Sequence, residues 1–347
     1  MSDRKEDRIS KYLSPRIKDM MFAELSPGYL ERAGAGEILT GIPVPVNNGD
    51  DENGGETDVR NIVLDMARVI GADPLFVYAE KYADFIKHAA GEGAVRMLVS
   101  EGAKSADSGD AEDACMLLRA ALRLDRESLE ALYLYARACA ECYGNEAVSS
   151  EDGMGDEEKI GCFKAEAMES FELLTMIHPG FAPGYYYLGY AYLNMGLYLK
   201  AKLTWQDFLK YSSGTENEDP GMDGETLAAL RDEISGRVEE LSDPVEIERG
   251  CNMIMSGDYQ GGKAVLDGYK ESRYAEWWPL WFYLGTAETA LGHSDEAAAC
   301  YKRVLRLSPS NTDAMEELAA IYAMSGDEEN AAKYRKKIEI VKSNIEA

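Results

Sequence analysis

The closest pair of soft ligands in the chain is Cys139-Ala-Glu-Cys142, with Cys162 and His178 next along. Two such thiolates can share a zinc ion, but a structural zinc site normally adds a second closely spaced pair at a turn, and none follows. Cys139 instead falls at a buried position of a helical pattern. All six cysteines (115, 139, 142, 162, 251 and 300) lie in such patterns, which suits reduced, packed thiols. The three histidines (88, 178 and 293) are too far apart to single out a Ser-His-Asp or Cys-His arrangement. His178, before Pro179, and His293, in a turn, read as helix-end residues. Ala33-Gly34-Ala35-Gly36 lacks the third glycine and the preceding strand of a dinucleotide fingerprint, and there is no Walker loop. The acidic runs at 50–56 and 219–225 lack the glutamate that closes a calcium loop. The expectation is therefore no catalytic centre, no metal and no cofactor.

Composition narrows the partners. Over 347 residues Asp and Glu outnumber Lys and Arg by 63 to 36, a formal charge of −27. Such a charge repels phosphate backbones and anionic membrane surfaces and favours basic partners, so no nucleic acid and no membrane are expected. No apolar run reaches the ~18 residues of a membrane span. The N-terminus lacks the apolar core of a secretory signal, and Asp3, Glu6 and Asp7 argue against a presequence, which predicts a cytoplasmic location. Helices at 58–70 and 74–90, joined at Gly71-Ala72-Asp73, have the outline of a helix-turn-helix. The second balances Lys81 and Lys87 with Glu80 and Asp84, where a groove-reading helix should be net basic.

The elements that would position any site come in pairs. Trp278 to Asn311 reads as two helices joined by Gly292-His293-Ser294, the first carrying Trp281, Leu284 and Gly285. The second carries Ala297, Tyr301 and Val304 and stops at Ser308-Pro309. Related spacing appears at 95–128 (Gly102, Gly109, Ala114, Leu118, Ala121) and from Leu129 (Tyr135, Ala136, Ala167, Phe171, Leu174, Pro179). It recurs at 182–215 (Tyr185, Leu188, Gly189, Tyr192, Ala201, Trp205), from 243 (Gly250, Gly257, Gly262, Leu266) and at 312–345 (Leu318, Ala319, Tyr322, Gly326, Ala331). The second unit is swollen by an acidic insertion at 144–159, read as a solvated surface loop. An acidic linker and a spacer helix with Leu227, Leu230, Ile234 and Val238 on one face fill 216–242, between repeats at 95–215 and 243–347. Upstream, 58–94 forms a helical pair that caps the array, built on Ile62, Met66, Val69 and Ile70, then Phe76, Tyr78, Tyr82 and Phe85. Residues 1–57 read as a poorly ordered segment with a short helix from Ser26-Pro27 to Leu39 and a linker at 41–57.

This spacing resembles the tetratricopeptide repeat family, whose signature is a large residue, then Leu-Gly, then small, aromatic and proline positions in the second helix. Glu288, in place of an aromatic, departs from it. The resemblance implies an all-α, right-handed superhelical solenoid whose inner wall is built from the first helices. Residues of those helices not spent on packing would face the groove: Tyr133 and Arg137, Tyr186, Tyr187, Tyr190 and Asn194, Phe282, Tyr283 and Thr286, and Glu316 and Glu317. Some relatives hold a chaperone's terminal carboxylate with a Lys, Asn and Arg clamp. Here Tyr186, Tyr190, Phe282 and Thr286 occupy those positions, so that clamp is absent. Tyrosine gives large contact area at small entropic cost, which suits a peptide. The resulting expectation is a non-catalytic adaptor binding a peptide or protein segment with basic and apolar residues. Beside it stands a regulatory reading, because some bacterial peptide-sensing receptors resemble this layout of a helical N-terminal module before five or six repeats. An enzyme would need a catalytic centre in 1–94, where no constellation is found.

Overall fold

Small residues in each first helix and large ones in each second helix bring the pairs together. In the computed structural model, which describes residues 7–46, 59–151, 155–213 and 224–345, a Cβ on Gly189 would collide with the indole of Trp205. On Gly102, Gly250 and Gly285 it would fall 2.8, 2.7 and 2.8 Å from Leu118, Leu266 and Tyr301. In all four pairs the residue filling the notch lies sixteen positions after the glycine, and each filler is fully buried. That fixed offset is one helix, one turn and one helix read as a packing constraint. The pairs are α6 (Ala94–Asp107) with α7 (Ala111–Leu124), α8 (Leu129–Glu151) with α9 (Glu157–Ile177), and α10 (Ala182–Asn194) with α11 (Tyr198–Tyr211). Further on they are α13 (Ser242–Met255) with α14 (Tyr259–Asp267), α15 (Trp278–Ala290) with α16 (Ser294–Leu307), and α17 (Thr312–Met324) with α18 (Glu328–Ile345). The chain divides into two compact units, residues 1–231 and 232–347. The boundary falls within α12 (Gly224–Glu240), where Ile234 is buried and Leu227, Leu230 and Val238 are half-buried.

Seven positions after each notch the turn requires a left-handed residue, supplied by Gly109, Gly196, Gly257, Gly292 and Gly326 with φ between 72° and 94°. The second pair has Tyr143 at that place, so α8 runs on to Glu151. This corrects the expected surface loop at 144–159. Residues 144–151 continue a helix, 152–154 lie outside the described residues, and α9 begins after the Asp156 N-cap. Glu146 fixes that junction by accepting from the Asp156 backbone N–H at 2.9 Å and pairing with Lys159 at 2.9 Å; Lys159 also reaches Glu112 of α7.

The N-terminal part differs more. Residues 7–17 pack against the repeats and residues 21–46 against α4, α5 and the turn between them, contrary to the expected poorly ordered segment. α1 (Ser10–Leu13) buries Ile9 and Leu13 completely, and Tyr12 sits 6.1 Å from Phe163 of α9. Arg8 pairs with Glu169 at 2.8 Å, Lys11 with Glu158 at 2.6 Å, and Arg16 with Asp110. The expected helix to Leu39 breaks at Gly34 (φ 61°) into α2 (Pro27–Arg32) and α3 (Gly36–Leu39). Flanking them, β1 (Met21–Glu24) and β2 (Pro43–Val46) pair antiparallel, with Met21 opposite Val46. The linker read at 41–57 therefore begins with a strand, tied down by a 2.6 Å hydrogen bond from the Tyr82 hydroxyl to the Pro43 carbonyl; residues 47–57 lie outside the described residues.

α4 (Val59–Ala72) packs on α7, and Gly71 permits it, since a Cβ there would strike the backbone carbonyl of Met116. The following helix does not start at Pro74. Asp73 Oδ1 accepts the Leu75 N–H and turns the chain, so α5 (Ala79–Ala90) begins later. Arg68 of α4 hydrogen-bonds Asp113 of α7 at 2.7 Å and Asp65 at 3.0 Å. Burial pushes the Asp113 carboxyl up, but hydrogen bonds from Arg68 and Ser105 and the Arg68 charge outweigh it and hold the group below the usual carboxylate range. Because the folded value is depressed, this stabilisation is complete above the unfolded pKa of ~3.9 and is lost as pH falls through the folded value. Asp113→Asn is accordingly expected to lower the thermal midpoint at pH 7 and to make progressively less difference in melts taken below pH 4.

Candidate binding surface

The tyrosines of α10 sort by spacing. Tyr185 and Tyr192 turn inward, 9% and 7% exposed. The Tyr185 hydroxyl donates to the Pro179 carbonyl at 3.0 Å, and burial first, then neighbouring Tyr211, push that phenol up to about 12. Tyr186, Tyr187 and Tyr190 are half-buried on the other side and touch one another: Tyr186 meets Tyr187 edge-on at 5.1 Å and Tyr190 at 5.2 Å. Each is backed by the core. Tyr187 stacks on Phe171 of α9 at 5.6 Å, Tyr186 packs on Phe208 of α11, and Tyr190 stands edge-on to Trp205 at 4.9 Å. The Trp205 indole N–H also donates to the Tyr186 carbonyl at 3.1 Å, so one buried ring seats both.

Tyr133 of α8 joins this surface although it is only 8% exposed, 5.9 Å from Tyr187. The exposed Arg137, one turn on, lays its guanidinium 5.5 Å over both rings, a cation–π placement that leaves N–H groups for a ligand. Sequence reasoning missed Phe181, edge-on to Tyr133 at 5.1 Å just before α10. Asn194 ends α10 exposed, its carbonyl taken by Lys164. The structure thus brings together Tyr133, Arg137, Tyr186, Tyr187 and Tyr190.

In the second unit Phe282 is half-buried between Tyr301 (5.6 Å) and Trp278 (6.2 Å), and Trp278, also missed from sequence, is 36% exposed. Tyr283 is drawn toward α13 by a hydroxyl contact to Met255 Sδ at 3.7 Å. Thr286 donates to the Phe282 carbonyl and accepts from the Tyr301 hydroxyl. Glu316 is exposed and pairs with Lys342 of α18 at 3.3 Å, while Glu317 is half-buried, so only part of the acidity read on α17 is available. Glu288 is buried where the family has an aromatic ring. His293 Nδ1 at 2.7 Å and Lys263 Nζ at 3.4 Å hold its carboxylate.

Cys139 and Cys142 are buried beside Cys115 of α7, with Sγ–Sγ separations of 3.7 and 3.9 Å from it, and burial pushes the Cys115 thiol up. His178 is turned elsewhere, its Nε2 at 2.7 Å from the Glu127 carbonyl. Among the described residues no group of three or more His, Cys, Asp or Glu is placed to hold a metal, and no helix is long and apolar enough to cross a membrane.

The family model described as Tetratricopeptide repeat matches residues 278–321, which span α15, α16 and most of α17. Among solved structures, the TPR domain of P58(IPK) is 13% identical over 97% of this chain and 92% of its own, with a TM-score of 0.42. A MamA protein is 15% identical over 72% and 93%, with a TM-score of 0.26. YrrB, titled a TPR protein with an unusual peptide-binding site, is 16% identical over 65% and 91%, with a TM-score of 0.25. No curated protein matches the chain. The family model is matched on the fifth helix pair, and the notch, filler and turn positions of that pair recur in the pairs of Gly102, Gly189 and Gly250, so the chain has an all-α fold of repeated helix pairs that is similar to the tetratricopeptide repeat at residues 278–321.

Proposed function

We propose that the protein is a non-catalytic interaction module that holds a peptide or protein segment on the ring cluster of α8 and α10. One observation carries the reading. Tyr186, Tyr187 and Tyr190 are half-buried and backed by core rings, Tyr186 touches both of the others, and Arg137 adds a charged donor beside Tyr187. Rings already seated against a core lose little entropy when a ligand covers them, which is the character of binding hot spots. The ligand would place apolar side chains between the rings and a main-chain carbonyl or carboxylate on Arg137. A charge of −27 favours a segment carrying Lys or Arg elsewhere. Phe282 and Trp278 offer the second unit a smaller patch of the same kind.

Random twelve-residue peptides displayed against the full chain should enrich sequences rich in apolar and basic residues. Alanine at Tyr186, Tyr190 and Phe282 together should weaken the selected peptides roughly a hundredfold in calorimetry, as for loss of two or more hot-spot rings. The Tyr186→Ala/Tyr190→Ala pair alone should account for most of it. Unchanged affinity in the triple variant, with its helical content intact, would overturn the proposal.

A further inference from the structure

The two-stranded sheet of the first unit has one closed edge and one open edge. Pro43 and Pro45 of β2 carry no N–H, so neither can donate to β1. With Ala23 opposite Val44 and Met21 opposite Val46, the ladder must run through those two pairs, which are the hydrogen-bonded ones. The outer side of β2 is then closed. Its prolines offer no donor there, and the Pro43 carbonyl accepts from the Tyr82 hydroxyl at 2.6 Å.

β1 is the reverse. Alternation turns the N–H and C=O of Phe22 and Glu24 away from β2. Among the described residues no hydrogen bond engages them, and no other helix or strand packs closely along β1. All four residues of β1 are exposed, Met21 by 48% and Phe22 by 40%. An uncovered edge of this kind is a template for another strand. Apolar surface lies beside it: Phe76, in the turn after α4, is 6.0 Å from Phe22, and its neighbours Leu75 and Val77 are 77% and 79% exposed.

We infer that β1 is a docking edge for an extended peptide segment of a partner protein, added antiparallel as a third strand. Phe22 and Glu24 bond its main chain through two residues that are two positions apart. Antiparallel order puts the residue opposite Glu24 first and the one opposite Phe22 second. Glu24 is exposed and has no ion pair among the described residues, and a chain charge of −27 favours a cation opposite it. Phe22, with Leu75 and Val77 nearby, favours an apolar side chain. The segment therefore reads basic, any residue, apolar. A second copy pairing through β1 would bring two charges of −27 together and offer no cation to Glu24. This edge shares no residue with the ring cluster of α8 and α10.

The test is NMR on the full chain with acetyl-Thr-Lys-Thr-Ile-Thr-amide and with three forms of it, N-methylated at Lys, at Ile or at the Thr between them. In the free chain the Phe22 and Glu24 amides should exchange with solvent faster than those of Ala23 and Val44, and the peptide should slow them. Methylation at Lys or Ile, whose N–H groups face β1, should weaken binding roughly tenfold or more; methylation at the Thr between them, whose N–H faces away, should leave it unchanged. Lys replaced by Glu in the peptide should weaken it about threefold. Glu24→Pro removes an outward donor without touching the ladder and should abolish binding, whereas Glu24→Gln keeps the donor and should cost about threefold. Tyr186→Ala/Tyr190→Ala should leave this binding unchanged, and its loss there would assign the peptide to the ring cluster instead. No binding at millimolar peptide, equal loss in all three methylated forms, or a Glu24→Pro variant that binds as the parent does would each overturn the assignment. So would Phe22 and Glu24 amides already protected in the free chain: protection that grows with protein concentration would put a second copy on the edge, and protection that does not would put another segment of the chain there.

Discussion

Trp205→Ala is expected to destabilise the first unit by about 4 kcal/mol, from the 3–5 kcal/mol typical of removing a fully buried Trp or Phe side chain. For a unit of this size that is a fall in melting temperature of roughly 10 °C. Trp205 has no exposed surface, fills the notch at Gly189, donates to the Tyr186 carbonyl and supports Tyr190 edge-on. Its loss therefore opens a cavity, strips a partner from a backbone carbonyl and unseats two rings of the proposed peptide site. Peptide affinity should fall with stability even though Trp205 is out of a ligand's reach. Gly189→Ala is the converse experiment, expected to cost on the order of 1–3 kcal/mol by overpacking. It should cost clearly less in a Trp205→Phe background, where the smaller ring leaves room for the methyl group. Equal costs in the two backgrounds would mean that the notch and the indole are not in contact, and the sixteen-residue packing rule would lose its best example.

That rule explains which parts of the molecule could be read from the residues alone. Gly102, Gly189 and Gly285, their fillers and the turn glycines after them form a local pattern, because each pair closes on itself within one repeat. The inward Tyr185 and Tyr192, seven residues apart, and the outward Tyr186, Tyr187 and Tyr190 follow from helix periodicity. Phe181 and Trp278 escaped because they stand at helix starts, where periodicity has not begun. The extension of α8 was illegible for a different reason: Glu146 and Lys159 decide it through partners on α9 and α7, while Gly144 and the acidic residues around it resemble loop composition. Residues 7–17 carry two fully buried apolar residues, Ile9 and Leu13, too few to make a periodic signal. Their ion pairs with Asp110, Glu158 and Glu169 join residues about a hundred positions apart or more, which no local window contains.

Those pairs make Arg119 the second position of large effect. Its guanidinium donates to the Gly71 carbonyl at 2.7 Å, to Asp7 and to Ser10 at 3.4 Å, so it joins the N-terminal segment and α4 to α7. Burial pushes the Asp7 carboxyl up, and the Arg119 charge with hydrogen bonds from Ser10 and Arg119 holds it below the usual range nonetheless. Arg119→Met keeps most of the apolar stem and removes every donor, leaving Asp7 half-buried and unpaired against α7. Breaking one side of a buried pair in this way costs about 3–5 kcal/mol; with Asp7 able to reach solvent, about 3 is expected here. Asp7→Asn should cost less, because an amide can still accept from Arg119. The two changes should be strongly non-additive. The functional consequence is release of residues 7–17 from α7 and α9. Limited trypsin digestion should then cleave after Arg8, Lys11 and Arg16 much faster in Arg119→Met than in the parent, under conditions where circular dichroism still reports intact repeats. If digestion at those sites and the melting temperature both stayed at the parent's values, Arg119 would not be what fastens the segment, and the burial of Ile9 and Leu13 would have to hold it alone.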